Sequence, residues 1–483
     1  MLYLTMLASA SVIVQIVLGA SVWVITLALW TIFVGLLGFM SLGTYNAGSW
    51  VIFFYMFGNV LVALYAKTLF LQPLDSHLYA PVESFAAVGI STVALFMSLM
   101  VVRKVNLGEP LFKKTSNLRT LSWLSWGTFV LGIFFWFMNL YLQERGGGGF
   151  GGIAIFRELL LMSVVCRTAL ILDRTRDQSS LDVGLVVIIT FTVILGLLSS
   201  SKTQSAYPII SYFATCLFYR RGLSVKQVLV LFLGGAFFVA VLVPSIHAWR
   251  DLGQRKMDIP ERISLLIESA VGIVTGGELK RFEDTTENQF RGGYYDYFGG
   301  DGRAQALVGR YASVQQIDPV IAAVDEQGTM GVGMIMRSIL RVIPSAIYTE
   351  KPEYIEPYTI LVHYGLIDPK GGKYPTLPVT GQIYAGLGWI GIVVIPFLVF
   401  LIFLGVLKKF GWDLYRNVYA IFFFCDFIIV YVNQGSLDQY AEITLRDLPL
   451  FAITFKAILV TSRSEIWHKM SPLKLHDSHK GMY

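Results

Sequence analysis

The feature that most constrains this chain is a succession of apolar runs, each long enough to cross a lipid bilayer as a helix. A crossing helix needs about 20 apolar residues, and roughly twelve runs meet that requirement. They lie near residues 3–20, 22–42, 50–70, 84–102, 120–142, 151–173, 183–200, 205–219, 226–248, 380–406, 417–434 and 446–462. The pattern predicts an all-α polytopic membrane protein. In this arrangement a short break at residues 19–21 separates the first two spans, and 205–219 is short enough for a half-helix.

Composition agrees with this class. Only 14% of residues are charged and the mean hydropathy is +0.62, whereas a soluble domain carries about 25% charged residues. The net charge of +6 is typical of basic membrane loops, and we expect no nucleic-acid partner. Cys166, Cys216 and Cys425 all fall in apolar stretches, so the spacing predicts neither a disulfide framework nor a zinc site. No cofactor is expected.

The distribution of lysine and arginine orients the spans, because cytoplasmic loops carry an excess of both. With twelve spans, four basic segments fall on one side, near residues 103–119, 220–226, 408–416 and beyond 463. Loop 71–82 has no Lys or Arg and falls on the other side. Both termini are therefore predicted to be cytoplasmic.

Four regions follow from this topology. Residues 1–248 form an N-terminal bundle of roughly nine spans. Residues 249–379 form one external loop domain, residues 380–462 return as C-terminal spans, and residues 463–483 form a basic cytoplasmic tail. Within the loop domain we expect amphipathic helices at 260–275, 303–317 and 329–347, the last ended or kinked by Pro344.

The loop domain contains the stretch "FRGGYYDYFGGDGR" at residues 290–303. Its tyrosines, Tyr294, Tyr295 and Tyr297, could stack on sugar rings or be ordinary interfacial residues. The loop domain also holds more arginines than lysines. Arginine binds phosphate bidentately, but any of these side chains could instead form a salt bridge. The arginines are Arg250, Arg255, Arg262, Arg281, Arg291, Arg303, Arg310, Arg337 and Arg341.

Ionisable residues also occur within or near the spans. Arg157 and Glu158 are adjacent, Lys202 lies at the external end of a span, and Asp426 has no obvious partner in the sequence. Intramembrane charges are costly and are functional candidates, although an internal ion pair or snorkelling also accounts for them.

The stretch "GRYASVQQIDPVIAAVDEQGTMGVGMIMRSILRVIPSAIYTEKP" resembles the external loop of Wzy-type oligosaccharide repeat-unit polymerases. The similarity rests on Gly309–Arg310, Gly328–Thr329, Ile343–Pro344 and Lys351–Pro352. Gly381, Tyr384, Gly388 and Gly391 resemble the return of that family into the membrane, and "LSSSKTQSAYPII" resembles its short turn with one basic residue, here Lys202. The close match covers about a quarter of the chain.

The resemblance implies a GT-C-like glycosyltransferase of the bacterial inner membrane with its large loop in the periplasm. Such an enzyme joins undecaprenyl-diphosphate-linked oligosaccharides into O-antigen or capsule polymer, with inversion and without metal. A chain-length regulator is a possible partner. The candidate catalytic residues are Arg310 and, as base or acceptor contact, His363, which could also be an ordinary surface histidine. The candidate residues for binding diphosphate and sugar are Lys202, Arg250, Arg291, Arg303, Arg337, Arg341, Tyr294, Tyr295 and Tyr384.

Three other functions remain open from the sequence. An O-antigen ligase, which moves finished glycan to a lipid A-core acceptor, shares the superfamily. A polysaccharide transporter or flippase would also span the membrane many times, but no internal repeat of span patterns is evident. A non-catalytic partner in polysaccharide export would use its arginines only in salt bridges.

Overall fold

The computed structural model describes residues 2–115, 117–144, 155–199, 202–220, 222–237, 264, 268, 297–299, 311–343, 348, 356–367 and 376–463. These residues form helices and no strand beyond one isolated bridge between Asn46 and Asp413. Large apolar side chains cover the outside of the bundle, including Val22, Phe33 and Ile390. An apolar exterior of this kind requires a lipid environment, so the chain is an α-helical membrane protein.

The N-terminal part of the bundle contains nine described helices. They are α1 (Leu2–Val17), α2 (Val22–Leu42), α3 (Ala47–Leu69), α4 (Pro81–Lys104), α5 (Leu118–Glu144), α6 (Leu159–Arg174), α7 (Val183–Leu198), α8 (Lys202–Arg220) and α9 (Val225–Phe237). The run at 205–219 is not a half-helix. It belongs to α8, which has 19 residues because the helix starts at Lys202, ahead of the apolar run.

The described C-terminal helices follow. They are α10 (Val314–Gln327), α11 (Val332–Leu340), α12 (Glu356–His363), α13 (Val379–Phe410), α14 (418–434) and α15 (437–463). Helix α15 begins at Leu437, nine residues before the predicted start at 446, because Ser436 and Gln439 form a capping box there. Three helices contain a π-helical turn, at Phe57–Leu61 in α3, Phe424–Ile428 in α14 and Ile443–Asp447 in α15.

By length and apolar composition, five described helices can cross a membrane. They are Val22–Leu42, Ala47–Leu69, Pro81–Lys104, Leu118–Asn139 and Val379–Phe410. Four further apolar helices are shorter: Thr5–Val17, Val183–Leu198, Val225–Gly235 and Val418–Ile428. The structure thus confirms the α-helical membrane class, while the count of twelve spans stays a prediction.

The short basic loops meet at one end of the bundle, which we call the basic end (loops 43–46, 105–117, 174–182 and 411–417). Lys408 Nζ donates hydrogen bonds to the carbonyl oxygens of Val102 and Val105, both at 2.8 Å. Arg416 joins Asp177 at 2.6 Å, and Lys114 joins Asp413 at 2.8 Å. The loops that the charge pattern assigned to one side therefore contact one another.

The described parts of the long loop domain pack at the opposite end, which we call the segment end (residues 70–80, 297–299, 311–343 and 376–382). Asp318 of α10 accepts hydrogen bonds from the backbone N–H groups of Tyr79 and Ala80 and from the Ser84 hydroxyl at 2.7–3.0 Å. It thereby holds the two residues that lead into α4 and the Ser84 side chain in the first turn of that helix. Burial raises the pKa of Asp318 above its usual value despite these three hydrogen bonds.

Helix α10 corrects the helix predicted at 303–317. The described helix runs from Val314 to Gln327, and residues 303–310 lie outside the described residues. Its position follows from an apolar face: Ile317, Val320, Ile321 and Val324 are buried at helical spacing. The predicted helix 329–347 is also shorter, since α11 ends at Leu340. The predicted helix 260–275 lies outside the described residues apart from positions 264 and 268.

Helix α13 is broken at Gly388, whose backbone lies at φ 58°, ψ −144° inside the helix. Only glycine adopts this conformation without strain. The carbonyl oxygen of Ala385, just before the break, accepts hydrogen bonds from the Met330 N–H at 2.8 Å and from the Tyr364 hydroxyl at 3.4 Å. The loop domain thus satisfies backbone groups at the break, as backbone buried within a membrane requires.

Candidate functional site

A small pocket lies between α5, α6, α7 and α8, and its walls combine apolar side chains with one charged pair. It is lined by Trp136, Arg157, Glu158, Leu160, Leu161, Thr192, Leu195, Gly196 and Gln204. Helices α6 and α8 both reach the basic end with their last turns, where Arg416 contacts Asp173 and Tyr219. Arg157, Glu158 and Gln204 stand at the opposite ends of these helices, so the pocket belongs to the segment end.

The pocket depends on close approach of α7 and α8. A side chain at Gly196 would lie 2.6 Å from the backbone nitrogen of Ser205, so only glycine permits this distance. The approach brings Gln204 beside Arg157. With its amide oxygen turned toward the guanidinium, Gln204 accepts hydrogen bonds from Arg157 at 2.7–3.0 Å.

Arg157 and Glu158 occupy a 3₁₀ turn, Ile155–Glu158, that leads into α6. The Arg157 Nε atom lies 3.1 Å from Glu158 Oε1, and the two side chains are 35% and 16% exposed. A carboxylate at the N-terminus of α6 is also favoured by the helix dipole. The ion pair expected from the sequence is present, and the guanidinium keeps a partly open face.

A second group of charged side chains interacts with this pair. Asp426 is 3% exposed, and it interacts electrostatically with Glu158, Asp447 and Arg157. Arg446 joins Asp447 at 2.6 Å and Glu442 at 3.3 Å. We call Arg157, Glu158, Asp426, Glu442, Arg446 and Asp447 the charged cluster.

π-Helical turns place two of these carboxyl groups. Asp426 lies in the turn Phe424–Ile428 and Asp447 in the turn Ile443–Asp447. A π turn adds one residue to a helical turn and rotates the side chains that follow, and such turns are common at functional sites. The cluster therefore results from a backbone irregularity that hydrophobic periodicity does not reveal.

The structure describes only some of the predicted site residues. Lys202 begins α8, two residues before Gln204, but its side chain lies outside the described part of the chain. The remaining predicted residues of the loop domain that lie outside the description are Arg250, Arg291, Arg303, Arg310, Tyr294 and Tyr295. Their roles stay predictions.

Arg337 lies in α11 and Arg341 is its C-cap residue, and α11 packs against the first turns of α15 and against α13. Met334 and Ile335 are buried on the packed side, while Arg337 is exposed and Arg341 is half-buried. The described helix therefore has buried apolar residues on one side and Arg337 on the exposed side. Helix α11 approaches the charged cluster because the α15 turn on which it packs carries Glu442.

The other two described candidates lie in different surroundings. His363 ends α12, is exposed, and meets the Tyr364 ring edge-on with ring centroids 4.9 Å apart. The Tyr384 side chain is buried, and its hydroxyl donates a hydrogen bond to Asp325 at 2.8 Å. Neither residue belongs to the charged cluster, and their predicted roles stay open.

Tyr297 is not a free sugar-stacking residue. Its side chain is 2% exposed, its hydroxyl donates to the Leu74 carbonyl at 2.8 Å, and its ring lies 4.1 Å from Lys67 Nζ. Lys67 is itself fully buried and donates to Gln72, Ser76 and the Tyr297 carbonyl oxygen. We call this arrangement the Lys67 socket (Lys67, Gln72, Leu74, Ser76 and residues 297–299). The Gly- and Tyr-rich stretch 290–303 is therefore anchored at residues 297–299.

Gly299 completes the socket. Its φ is 63°, and a side chain there would lie 2.5 Å from His77 Nε2. Phe298 packs edge-on against Phe70 with ring centroids 5.8 Å apart, and Gln72 donates to the Phe298 carbonyl at 3.1 Å. At Gly299 the absence of a side chain lets the loop backbone lie close to His77.

Sequence reasoning missed Lys67, Gln204 and Asp447. Lys67 lies within the predicted span 50–70, so the rule that singled out Asp426 would have found it. Asp447 sits at the edge of the predicted span 446–462, where an acidic residue is easily interpreted as part of a loop. No sequence signal marks Gln204.

No metal centre is evident in the described ranges, where no group of three or more His, Cys, Asp or Glu side chains is arranged to hold an ion. Arg157 with Gln204 could instead hold an anionic group, since guanidinium and amide N–H groups donate to phosphate oxygens. Comparison with known proteins adds no relative: no family model, no curated protein and no solved structure matches the chain.

Proposed function

We propose that the protein is a membrane glycosyltransferase that joins undecaprenyl-diphosphate-linked oligosaccharide repeat units into a polysaccharide. In this proposal the chain spans the bacterial inner membrane twelve times, with the segment end on the periplasmic side. The observation that carries the proposal is the pocket of α5–α8, where a partly open guanidinium stands among apolar side chains.

The lining of the pocket suits the phosphate group of an amphipathic lipid. Trp136, Leu160 and Leu195 are buried and form its apolar wall, and a prenyl chain would lie outside it on the apolar exterior of the bundle. Arg157 offers N–H donors in a fixed planar arrangement that matches phosphate oxygens, and it stays charged in an apolar setting. Gln204 holds the guanidinium in place. A soluble sugar nucleotide has no lipid chain, so it would not be favoured by the apolar lining of this pocket.

The proposed reaction needs few protein groups. The anomeric carbon of the donor saccharide leaves its diphosphate, whose oxygen keeps the bonding electron pair, while a hydroxyl of the acceptor unit attacks the opposite face. The bond that forms is carbon to acceptor oxygen, so the configuration inverts. Arg157 stabilises the negative charge that grows on the leaving diphosphate, which is the larger part of the catalytic task.

The loop domain would supply further donors. Arg337 lies in α11 and Arg341 directly follows it, and α11 packs on the segment Leu437–Glu442 of α15. A second guanidinium on the diphosphate would share its charge, as arginine pairs do on other diphosphates. Arg310 and Lys202 remain the candidates that rest on the resemblance.

The test is reconstitution of purified protein with lipid-diphosphate-linked repeat units in the presence of EDTA. Wild type is expected to produce a ladder of polymer lengths on a gel. Arg157→Gln is expected to lower the initial rate by about 10²–10³, the usual cost of losing one donor to a developing anion. Arg167→Gln is the matched control, because Arg167 lies in α6, the helix that follows the Arg157 turn, but pairs with Asp182 at the basic end.

The products separate the alternatives. A ladder from wild type and from Arg167→Gln, but not from Arg157→Gln, supports the proposal. Transfer of finished glycan to a lipid A-core acceptor, without growth of the chain, would indicate a ligase. Movement of lipid-linked units across the bilayer without any new glycosidic bond would indicate a transporter. A full ladder from Arg157→Gln would overturn the assigned role of the pocket.

A further inference from the structure

Asp426 is the buried carboxyl group of the charged cluster that has no cation of its own among the described residues. Its Oδ2 atom is buried without a hydrogen-bond partner in that part of the chain. Arg157 is already engaged by Glu158, and Arg446 by Asp447 and Glu442. Within the cluster, two guanidinium groups therefore face four carboxyl groups.

Leaving Asp426 ionised in this position would be costly. An isolated carboxylate in an apolar interior loses the solvation that water provides. The nearby carboxylates Glu158 and Asp447 repel a further negative charge, and Arg157 attracts it but is shared with Glu158. The other titratable groups that face Asp426 are Tyr207 of α8 and Tyr431 and Cys425 of α14, none of them a cation.

Binding of a proton removes this cost. A neutral carboxyl group needs no counter-ion and tolerates burial, which is how carboxylic acids persist in apolar sites. Glu158, which pairs with Arg157, lines the pocket and also interacts electrostatically with Asp426. Two neighbouring carboxyl groups with different environments can in this way take different protonation states, one as acid and one as base.

We propose that Asp426 is an intramembrane proton-binding site, and that its proton exchanges with the pocket through the Glu158 carboxylate. The ligand of this site is a proton. It passes from Asp426 to the Glu158 carboxylate and from there to the pocket. The site does not depend on the glycosyltransferase assignment.

A catalytic consequence does rest on the proposed function. As the acceptor oxygen bonds to the anomeric carbon, its O–H bond breaks and the proton passes to the Glu158 carboxylate, while the leaving diphosphate keeps the electron pair of the broken C–O bond. The proton afterwards leaves through the pocket to the diphosphate or to water. Because Asp426 already holds its own proton, Glu158 remains the ionised group that can act as base.

The test is infrared spectroscopy of the purified full-length protein in lipid bilayers. A protonated carboxyl group has a carbonyl stretching band that a carboxylate lacks, and the band shifts when deuterium replaces the proton. At neutral pH we expect such a band in wild type and its loss in Asp426→Asn. Asp438→Asn, at a second buried aspartate with an unpartnered oxygen outside the cluster, should leave the Asp426 band in place.

The exchange route is tested by transfer of the same proteins into deuterated buffer. The band of Asp426 should shift at least about tenfold more slowly in Glu158→Gln than in wild type, which corresponds to a barrier higher by about 1.4 kcal/mol. Glu326→Gln, at an exposed glutamate of α10, should exchange at the wild-type rate.

Two results would overturn the proposal: a wild-type spectrum from which Asp426→Asn removes no carboxyl band, or equally fast exchange in Glu158→Gln and wild type. The readout involves no glycosyl transfer. A missing polymer ladder therefore counts against the proposed function alone, and a missing band counts against the proton site alone.

Discussion

The two ends of the bundle use their charges differently. At the basic end, Lys408, Lys409 and Arg416 bind backbone carbonyl oxygens or partly exposed acids: the two lysines hold the chain at the end of α4, and Arg416 joins Asp173 and Asp177. Toward the segment end, Lys67 is fully buried and Asp426 keeps an unpartnered oxygen among the described residues. These three basic-end cations lie partly open to water, whereas Lys67 and Asp426 lie inside the bundle.

This difference separates structural charges from candidates for chemistry. A cation that binds helix-terminal carbonyls near water contributes little stability, because water can replace it. A buried charge must be held by the surrounding structure, and its cost is tolerated where function requires it. We therefore expect substitutions at the segment end to have larger effects than equivalent substitutions at the basic end.

The largest effect is expected from Lys67→Met. The substitution leaves several buried oxygen acceptors of Gln72, Ser76 and Tyr297 without their donor. We expect a loss of about 3 kcal/mol or more in the free energy of unfolding, at about 1–3 kcal/mol for each such group. Thermal unfolding in detergent measures it, and limited proteolysis near residues 290–303 should become faster because the loop loses its anchor. Unchanged proteolysis would show that other contacts hold the loop.

A smaller effect is expected from Asp318→Asn. The amide presents one donor where Asp318 accepts from Tyr79, Ala80 and Ser84, so one buried donor loses its acceptor at about 1–3 kcal/mol. The effect should also depend on pH. Burial raises the pKa of Asp318 in the folded protein, so its contribution to stability is complete below the ordinary aspartate pKa and declines as pH rises through the folded-state value.

Melting temperatures of wild type and Asp318→Asn across acidic and neutral pH provide the check. The difference between the two proteins should be largest in acid and should narrow as the pH rises. A difference that widens with pH would mean that the hydrogen bonds lower the pKa of this carboxyl more than burial raises it.

The smallest effect is expected from Lys408→Met at the basic end. Its contacts with the carbonyl oxygens of Val102, Arg103 and Val105 are partly open to water, so we expect a loss of about 1 kcal/mol or less in stability. Polymer formation should be unchanged. If this variant were destabilised as strongly as Lys67→Met, the contrast between the two ends would fail.

The helical class and most helix positions could be predicted from the sequence, because apolar runs of membrane length have few alternative structures. The break at residues 19–21 and the amphipathic α11 also followed from local pattern. The start of α15 and the position of α10 could not be predicted from local pattern. The first depends on a capping box in a polar stretch, and the second on burial of Ile317 and Val324 against other helices.

The candidate site was only partly predictable. Arg157, Glu158 and Asp426 were found because charge within an apolar run is conspicuous. The sequence did not predict that these residues come together. Their association depends on the π turn at Phe424–Ile428 and on the close approach of α7 to α8 at Gly196. Tyr297 was a candidate for sugar stacking, because tyrosine offers a flat apolar face and a hydroxyl, or for an ordinary interfacial residue, but tertiary contacts with Lys67 bury it.

The Lys67 socket also sets an order of assembly. Lys67 and its acceptor on Tyr297 are 230 residues apart in the sequence. At about 5–20 residues per second, a ribosome needs roughly 10–50 s to make the intervening chain. During that interval the lysine ammonium has Gln72 and Ser76 as acceptors, and water at the membrane surface supplies the rest of its hydrogen bonds. Burial of this charge is therefore complete only after residues 297–299 have been made and have packed over it.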